Sequence, residues 1–139
     1  METNMSNVLV MTHGEFAAGI KKSAEMIIGE QDNFETLVFT PEMSLDALVI
    51  ALKEKLHRFD NDHPTLVLVD LFGGSPSNAV ALLLAEGFDI QAISGVNLPL
   101  LLEVLSGRTL FPLDNLVSQG ITAANEGVIN IVKKFTEEP

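Results

Sequence analysis

One imidazole and one carboxylate each follow a short apolar run. Asn7-Val8-Leu9-Val10-Met11 leads into Thr12-His13-Gly14, and Thr65-Leu66-Val67-Leu68-Val69 leads into Asp70-Leu71-Phe72-Gly73-Gly74-Ser75-Pro76. If both runs are buried parallel strands, each releases its reactive side chain at the same edge of one sheet. An unperturbed imidazole titrates near about pH 6.5, so a neutral nucleophile is available at physiological pH. A carboxylate accepting from one ring N–H fixes the tautomer and frees the lone pair of the other nitrogen, and Asp70 is placed to do this for His13. Phosphoryl transfer asks little more of a protein than such a nucleophile and donors aimed at the phosphoryl oxygens. Gly14 and Gly73-Gly74-Ser75 offer close backbone approach, a helix N-terminus and a hydroxyl. Pro76 fits the first turn of that helix, and Thr12 offers a second hydroxyl. By themselves Gly and Ser are ordinary turn residues. Their placement beside His13 is what ties them to the chemistry.

The elements that must position these residues can be read from periodicity. Residues 7–12 form a strand. Glu15 to Ile28 has helical spacing, with Phe16, Ile20, Ala24 and Ile27 or Ile28 on one face and Gly29 as C-cap. Asn33 to Thr40 is a second strand, ended by Pro41. Ser44 caps a helix that carries Asp46 in its first turn and runs to about Phe59. Asn61-Asp62-His63-Pro64 is a turn, and Thr65 to Asp70 is a third strand of the continuous apolar kind found inside parallel sheets. Ser75 or Ser77 caps a helix to about Glu86. Asp89 to Ser94 is a fourth strand, Asn97 to Leu105 and Asp114 to Asn125 are helices, and Val128 to Val132 has strand composition. This alternation predicts a single α/β domain over residues 1–139, with right-handed crossovers. The arrangement expected is a flavodoxin-like three-layer α/β/α sandwich with parallel strand order 2-1-3-4. In that order strands 1 and 3 are neighbours at the point where winding reverses, which is where ligands bind. His13 and Asp70 meet there.

Composition narrows the function. The 139 residues suit one core, and 47% hydrophobic content argues against disorder. The net charge of −11, with 8 Lys and Arg against 19 Asp and Glu, disfavours nucleic acid and anionic membrane surfaces. It favours a protein partner with a basic face. Cysteine is absent, so disulfides and thiolate metal sites are excluded. His57 and His63 have no ligand-spaced companions, and no metal site is expected. No Walker A lysine motif is present, which argues against direct use of ATP. Met1-Glu2-Thr3-Asn4 lacks the basic and apolar regions of a secretion signal, and no apolar run nears the roughly 18 residues of a membrane span. Leu71 and Phe72 have two readings, core residues or an apolar rim where a partner docks.

Taken together, several stretches resemble the enzyme IIA component of the mannose family of the bacterial sugar phosphotransferase system. They are Thr12-His13-Gly14; Ala24-Glu25-Met26 with Gly29-Glu30-Gln31; Leu68-Val69-Asp70 with Gly73-Gly74-Ser75-Pro76 and Asn78-Ala79; and Gly95-Val96-Asn97-Leu98-Pro99. They cover most of the chain in the family's order. The resemblance implies a cytoplasmic phosphotransferase without cofactor or metal. In it, the residue matching His13 takes phosphoryl on Nε2 from the histidine phosphocarrier protein and passes it to a cognate enzyme IIB. Asp70 matches the residue that holds Nδ1, and Ser75 one in the phosphoryl pocket. The resemblance also implies a homodimer that exchanges a C-terminal antiparallel edge strand, here about Val128 to Val132. Coupling to membrane IIC and IID subunits is implied as well, and those subunits choose the sugar. The end at Pro139 matches the stand-alone form rather than a IIA–IIB fusion.

Other readings make different demands. A phosphocarrier of a dihydroxyacetone kinase system shares the fold and the strand-end histidine, but carries a Met-Gly-Ser-Ala type turn where this chain has Gly-Gly-Ser-Pro. A flavin or nucleotide binder needs a Thr/Ser-rich phosphate loop after strand 1 and usually aromatics around the ring, whereas this chain has neither Trp nor Tyr. A receiver-type signalling domain needs an acidic cluster at the end of strand 1, where this chain has His13. A pure interaction protein would take up no phosphoryl group.

Overall fold

Asn7–His13 carries six buried residues in succession before its exposed terminal histidine. Only a strand covered on both faces tolerates that pattern, and this strand, β1, lies inside the sheet. The computed structural model describes residues 5–59 and 62–137. The chain start at Met1 to Asn4, Asn61 of the expected turn, and Pro139 lie outside the described residues. The elements that follow β1 are α1 Phe16–Ile28, β2 Phe34–Phe39, α2 Leu45–His57, β3 Thr65–Val69, α3 Ser75–Ala85, β4 Gln91–Ser94, α4 Leu98–Gly107, α5 Leu113–Glu126 and α6 Ile131–Thr136. The sheet is fully parallel in the expected order β2-β1-β3-β4.

Right-handed crossovers to either side of β1 place helices on both faces. Val8 and Val10 pack with Ala17, Ile20 and Ala24 of α1, with Leu100, Leu101 and Val104 of α4, and with Leu116 of α5. The alternate residues Leu9 and Met11 pack on the other face with Leu48 and Leu52 of α2 and with Ala79, Val80 and Leu83 of α3. This is the expected three-layer sandwich. Ser44 caps α2 by accepting from the Ala47 N–H at 3.1 Å. Asn97 caps α4 by accepting from the Leu100 N–H at 3.0 Å.

Three details differ from expectation. The buried stripe of α1 is Ala17, Ile20 and Ala24, while Phe16 and Ile27 are 46% and 58% exposed. Phe16 sits one position, about 100°, off that stripe and projects near the sheet's carboxyl edge. The strand expected over about Val128 to Val132 is not formed. Asn130 accepts from the Lys133 N–H at 3.0 Å and starts the short helix α6. The run is not paired with either edge strand, β2 or β4, and strand preference depends on such pairing. A helical turn satisfies the backbone locally instead. The third detail is Arg108, which sequence reading passed over.

Arg108 follows α4 and is fully buried at the sheet edge opposite His13. Its Nη1 donates to the carbonyls of Ser6 and Asn33 at 3.0 Å each, and its Nη2 donates to Asp32 O and, at 3.4 Å, to Gln31 Oε1. Burial pulls its pKa down to about 10, partly offset by the charge of Asp32. One guanidinium thereby ties the end of α4 to the starts of β1 and β2. This holds α4 against the strands whose far ends carry the site.

Candidate functional site

Strand register brings the two reactive groups together. Met11 of β1 pairs with Val69 of β3, so Asp70 leaves the ladder level with Thr12 and one step from His13. The Oδ2 of Asp70 accepts from His13 Nδ1 at 2.9 Å and from the His13 backbone N–H at 3.1 Å. A carboxylate can only accept, so Nδ1 carries the hydrogen, and in the neutral ring the Nε2 lone pair is then free. The two bonds to one oxygen fix both the ring's tautomer and its place on the backbone. The Asp70 side chain is 16% exposed, whereas that of His13 is 44% exposed. Asp70 Oδ1 is buried and has no hydrogen-bond partner among the described residues. The negative charge is therefore committed to the histidine, while the ring stays open to a visitor.

Phe39 completes the setting of the ring. It ends β2 directly opposite His13 in register. The two rings stand edge-on at 83° with centroids 5.8 Å apart. Sequence reading took Phe39 only as a strand residue. The available signal was its position, six residues into the strand adjoining β1.

The glycines and hydroxyls divide into distinct roles. Gly14, at φ 57°, turns the chain out of β1, and its N–H is already given to Phe39 O at 2.8 Å. It shapes the turn and has no free N–H for a ligand. The Thr12 hydroxyl is fully buried, accepts from the Ala17 N–H at 2.7 Å and donates to His13 O at 3.3 Å. It caps the first turn of α1, so the structure does not place it as a pocket donor. Gly73 takes φ 92°, a left-handed conformation that suits glycine. Gly74, not Ser75 or Ser77, is the N-cap of α3. Ser75 is therefore the first helical residue, half-buried, and its hydroxyl is not used in capping. The amino end of α3 points its unpaired N–H groups and positive dipole end toward the site. Of Gly73, Gly74 and Ser75, it is Gly74 that lies against the imidazole, close enough that an added Cβ would fall 2.7 Å from His13 Cε1.

Phe16, Leu71 and Phe72 are 46%, 59% and 82% exposed, so Leu71 and Phe72 are surface residues and the core reading does not hold. His57 ends α2, and His63 precedes β3 at the opposite edge of the sheet. Among the described residues there is no group of three or more His, Cys, Asp or Glu side chains able to hold a metal ion. Among the same residues, no helix is long and apolar enough to cross a membrane.

Comparison with known proteins agrees with this geometry. The family model EIIA-man, described as "PTS system fructose IIA component", matches residues 7–120. The fructose-specific EIIA component of Bacillus subtilis is 38% identical over 114 residues, covering 82% of this chain and 78% of that protein. The mannose-specific EIIAB component of Escherichia coli K12 is 34% identical over 132 residues, covering 94% of this chain. The chain spans only 41% of that longer relative. Among solved structures, the phosphotransferase system component EIIA of Streptococcus agalactiae superposes with a TM-score of 0.84 at 35% identity, covering 93% of this chain and 99% of that one.

Proposed function

Because this chain belongs to the mannose-type IIA family of the sugar phosphotransferase system, we propose that it carries a phosphoryl group on His13 between two protein partners. The observation that carries this reading is the 2.9 Å bond from His13 Nδ1 to Asp70 on an otherwise accessible ring. The Nε2 lone pair attacks the phosphorus of a phosphohistidine on the histidine phosphocarrier protein. The donor's N–P bond breaks, and its electron pair returns to the donor ring nitrogen. The His13 ring then carries phosphorus on Nε2 and hydrogen on Nδ1, and Asp70 offsets its positive charge. Transfer to a cognate enzyme IIB reverses these bonds: Nε2 regains its lone pair and the phosphoryl leaves. Gly73, Gly74 and Ser75, at the amino end of α3, receive the phosphoryl oxygens. No metal or diffusible cofactor takes part in these steps. The protein works in the cytoplasm, and the membrane IIC and IID subunits transport the sugar. The experiment is incubation with phosphoenolpyruvate and purified upstream carriers. Acid-labile phosphoryl uptake supports the reading, and no uptake ends it.

Both partners must bring a ring nitrogen within bonding distance of Nε2, so both must cover the rim of Phe16, Leu71 and Phe72. Exposed aromatics of this kind are the usual anchors of protein interfaces. Phe72→Ser should raise the KM for the histidine phosphocarrier protein about thirtyfold, equivalent to roughly 2 kcal/mol. The fold should be unaffected, because the side chain is 82% exposed. An unchanged KM would place docking elsewhere.

The protein is further proposed to be a homodimer. Val128, Ile129, Ile131, Val132 and Phe135 are each more than half exposed, and a second copy is the cover the proposal assigns to them. Light scattering should return twice the mass of one chain. The mass of a single chain would remove the dimer and leave the phosphocarrier reading standing.

A further inference from the structure

We propose that Gly74 is a positioning residue whose missing side chain sets the angle of the His13 ring. The backbone gives no reason for glycine here. Gly74 has φ −82° and ψ 178°, an extended conformation open to any residue. Its place in the helix does not single out glycine either, because at the N-cap of α3 Ser, Asn or Asp would serve at least as well and add a side-chain bond. The reason is steric. A Cβ on Gly74 would lie 2.7 Å from His13 Cε1 and 3.2 Å from Nε2. The ring cannot yield freely, because Nδ1 and the backbone N–H are both held by Asp70 and Phe39 stands edge-on to it. Any side chain at 74 must therefore turn the imidazole off Asp70 or occupy the flank of Nε2. Gly73 next to it is the reverse case: its φ is 92°, and a Cβ there would meet nothing within 4 Å. One glycine serves the turn, and the other makes room for the nucleophile.

This inference deepens the phosphocarrier reading and rests on it for its kinetic half. The test compares wild type with Gly74→Ala and Gly74→Ser by thermal melting, by long-range proton–nitrogen NMR of the imidazole, and by phosphoryl uptake. Serine is a favoured N-cap, so Gly74→Ser should hold or raise Tm. Both variants should lose the single Nδ1–H tautomer, and uptake should fall on the order of 10²-fold, as expected for a displaced reacting group. A merely structural glycine would move Tm and leave the tautomer alone. Unchanged ring signals with uptake within about twofold of wild type, or failure of both variants to fold, would overturn the role of Gly74. If wild type itself takes up no phosphoryl, the parent reading fails, and the tautomer comparison still decides whether Gly74 sets the ring.

Discussion

Replacing His13 with alanine is expected to abolish phosphoryl uptake while leaving the fold intact. The chain holds three histidines and no cysteine. His57 and His63 lie at the opposite sheet edge, a strand's length from the amino end of α3 and the apolar rim. The folded state should tolerate the change, because the His13 side chain is 44% exposed and contributes little to either core cluster. Truncation does leave Asp70 without the ring donor, but the carboxylate keeps the His13 backbone N–H. The variant should therefore show wild-type circular dichroism and, after incubation with phosphoenolpyruvate and the upstream carriers, no acid-labile label. Label at the wild-type level would mean that another residue carries the group.

Asp70→Asn should slow transfer about 10²-fold and leave the protein folded. The asparagine fills the same space and can still accept from the His13 backbone N–H through its carbonyl oxygen. Two things change. The amide has a donor end, and if that end faces Nδ1 the ring hydrogen moves to Nε2 and the attacking lone pair is lost. The phosphorylated ring also loses its anionic partner, and a hydrogen bond to a charged group is worth about 1.5–3 kcal/mol. The upper end of that range is about two powers of ten in rate. Single-turnover transfer from the phosphorylated histidine phosphocarrier protein measures this directly. A wild-type rate would show that Asp70 only anchors the backbone turn.

Much of this arrangement can be read from sequence because it follows from local patterns. The two apolar runs, at residues 7–11 and 65–69, are long enough and uniform enough to be central strands. Once strand order is set by short right-handed crossovers, His13 and Asp70 must share an edge. The hydroxyls were harder to assign, because a threonine or serine beside a helix start can serve the backbone or a ligand with the same atoms. Thr12 went to the helix, and Ser75 did not. The role of Gly74 is invisible in one dimension, since it depends on a ring 61 positions earlier in the chain approaching from β1. Phe39 and Arg108 escaped for the same reason: their contacts join segments that only the folded sheet brings together. The C-terminal run misled because its β-branched residues favour a strand, while the Asn130 side chain starts a short helix over the same residues.

The most direct test is to locate the phosphoryl group on the labelled wild-type protein. Mass spectrometry under alkaline conditions gives the residue, and phosphorus and nitrogen NMR give the atom. The expected result is Nε2 of His13, with Nδ1 still protonated toward Asp70. Phosphoryl on His57, on His63, on a carboxylate, or on Nδ1 of His13 would contradict the claim that Asp70 holds one ring nitrogen so that the other can react.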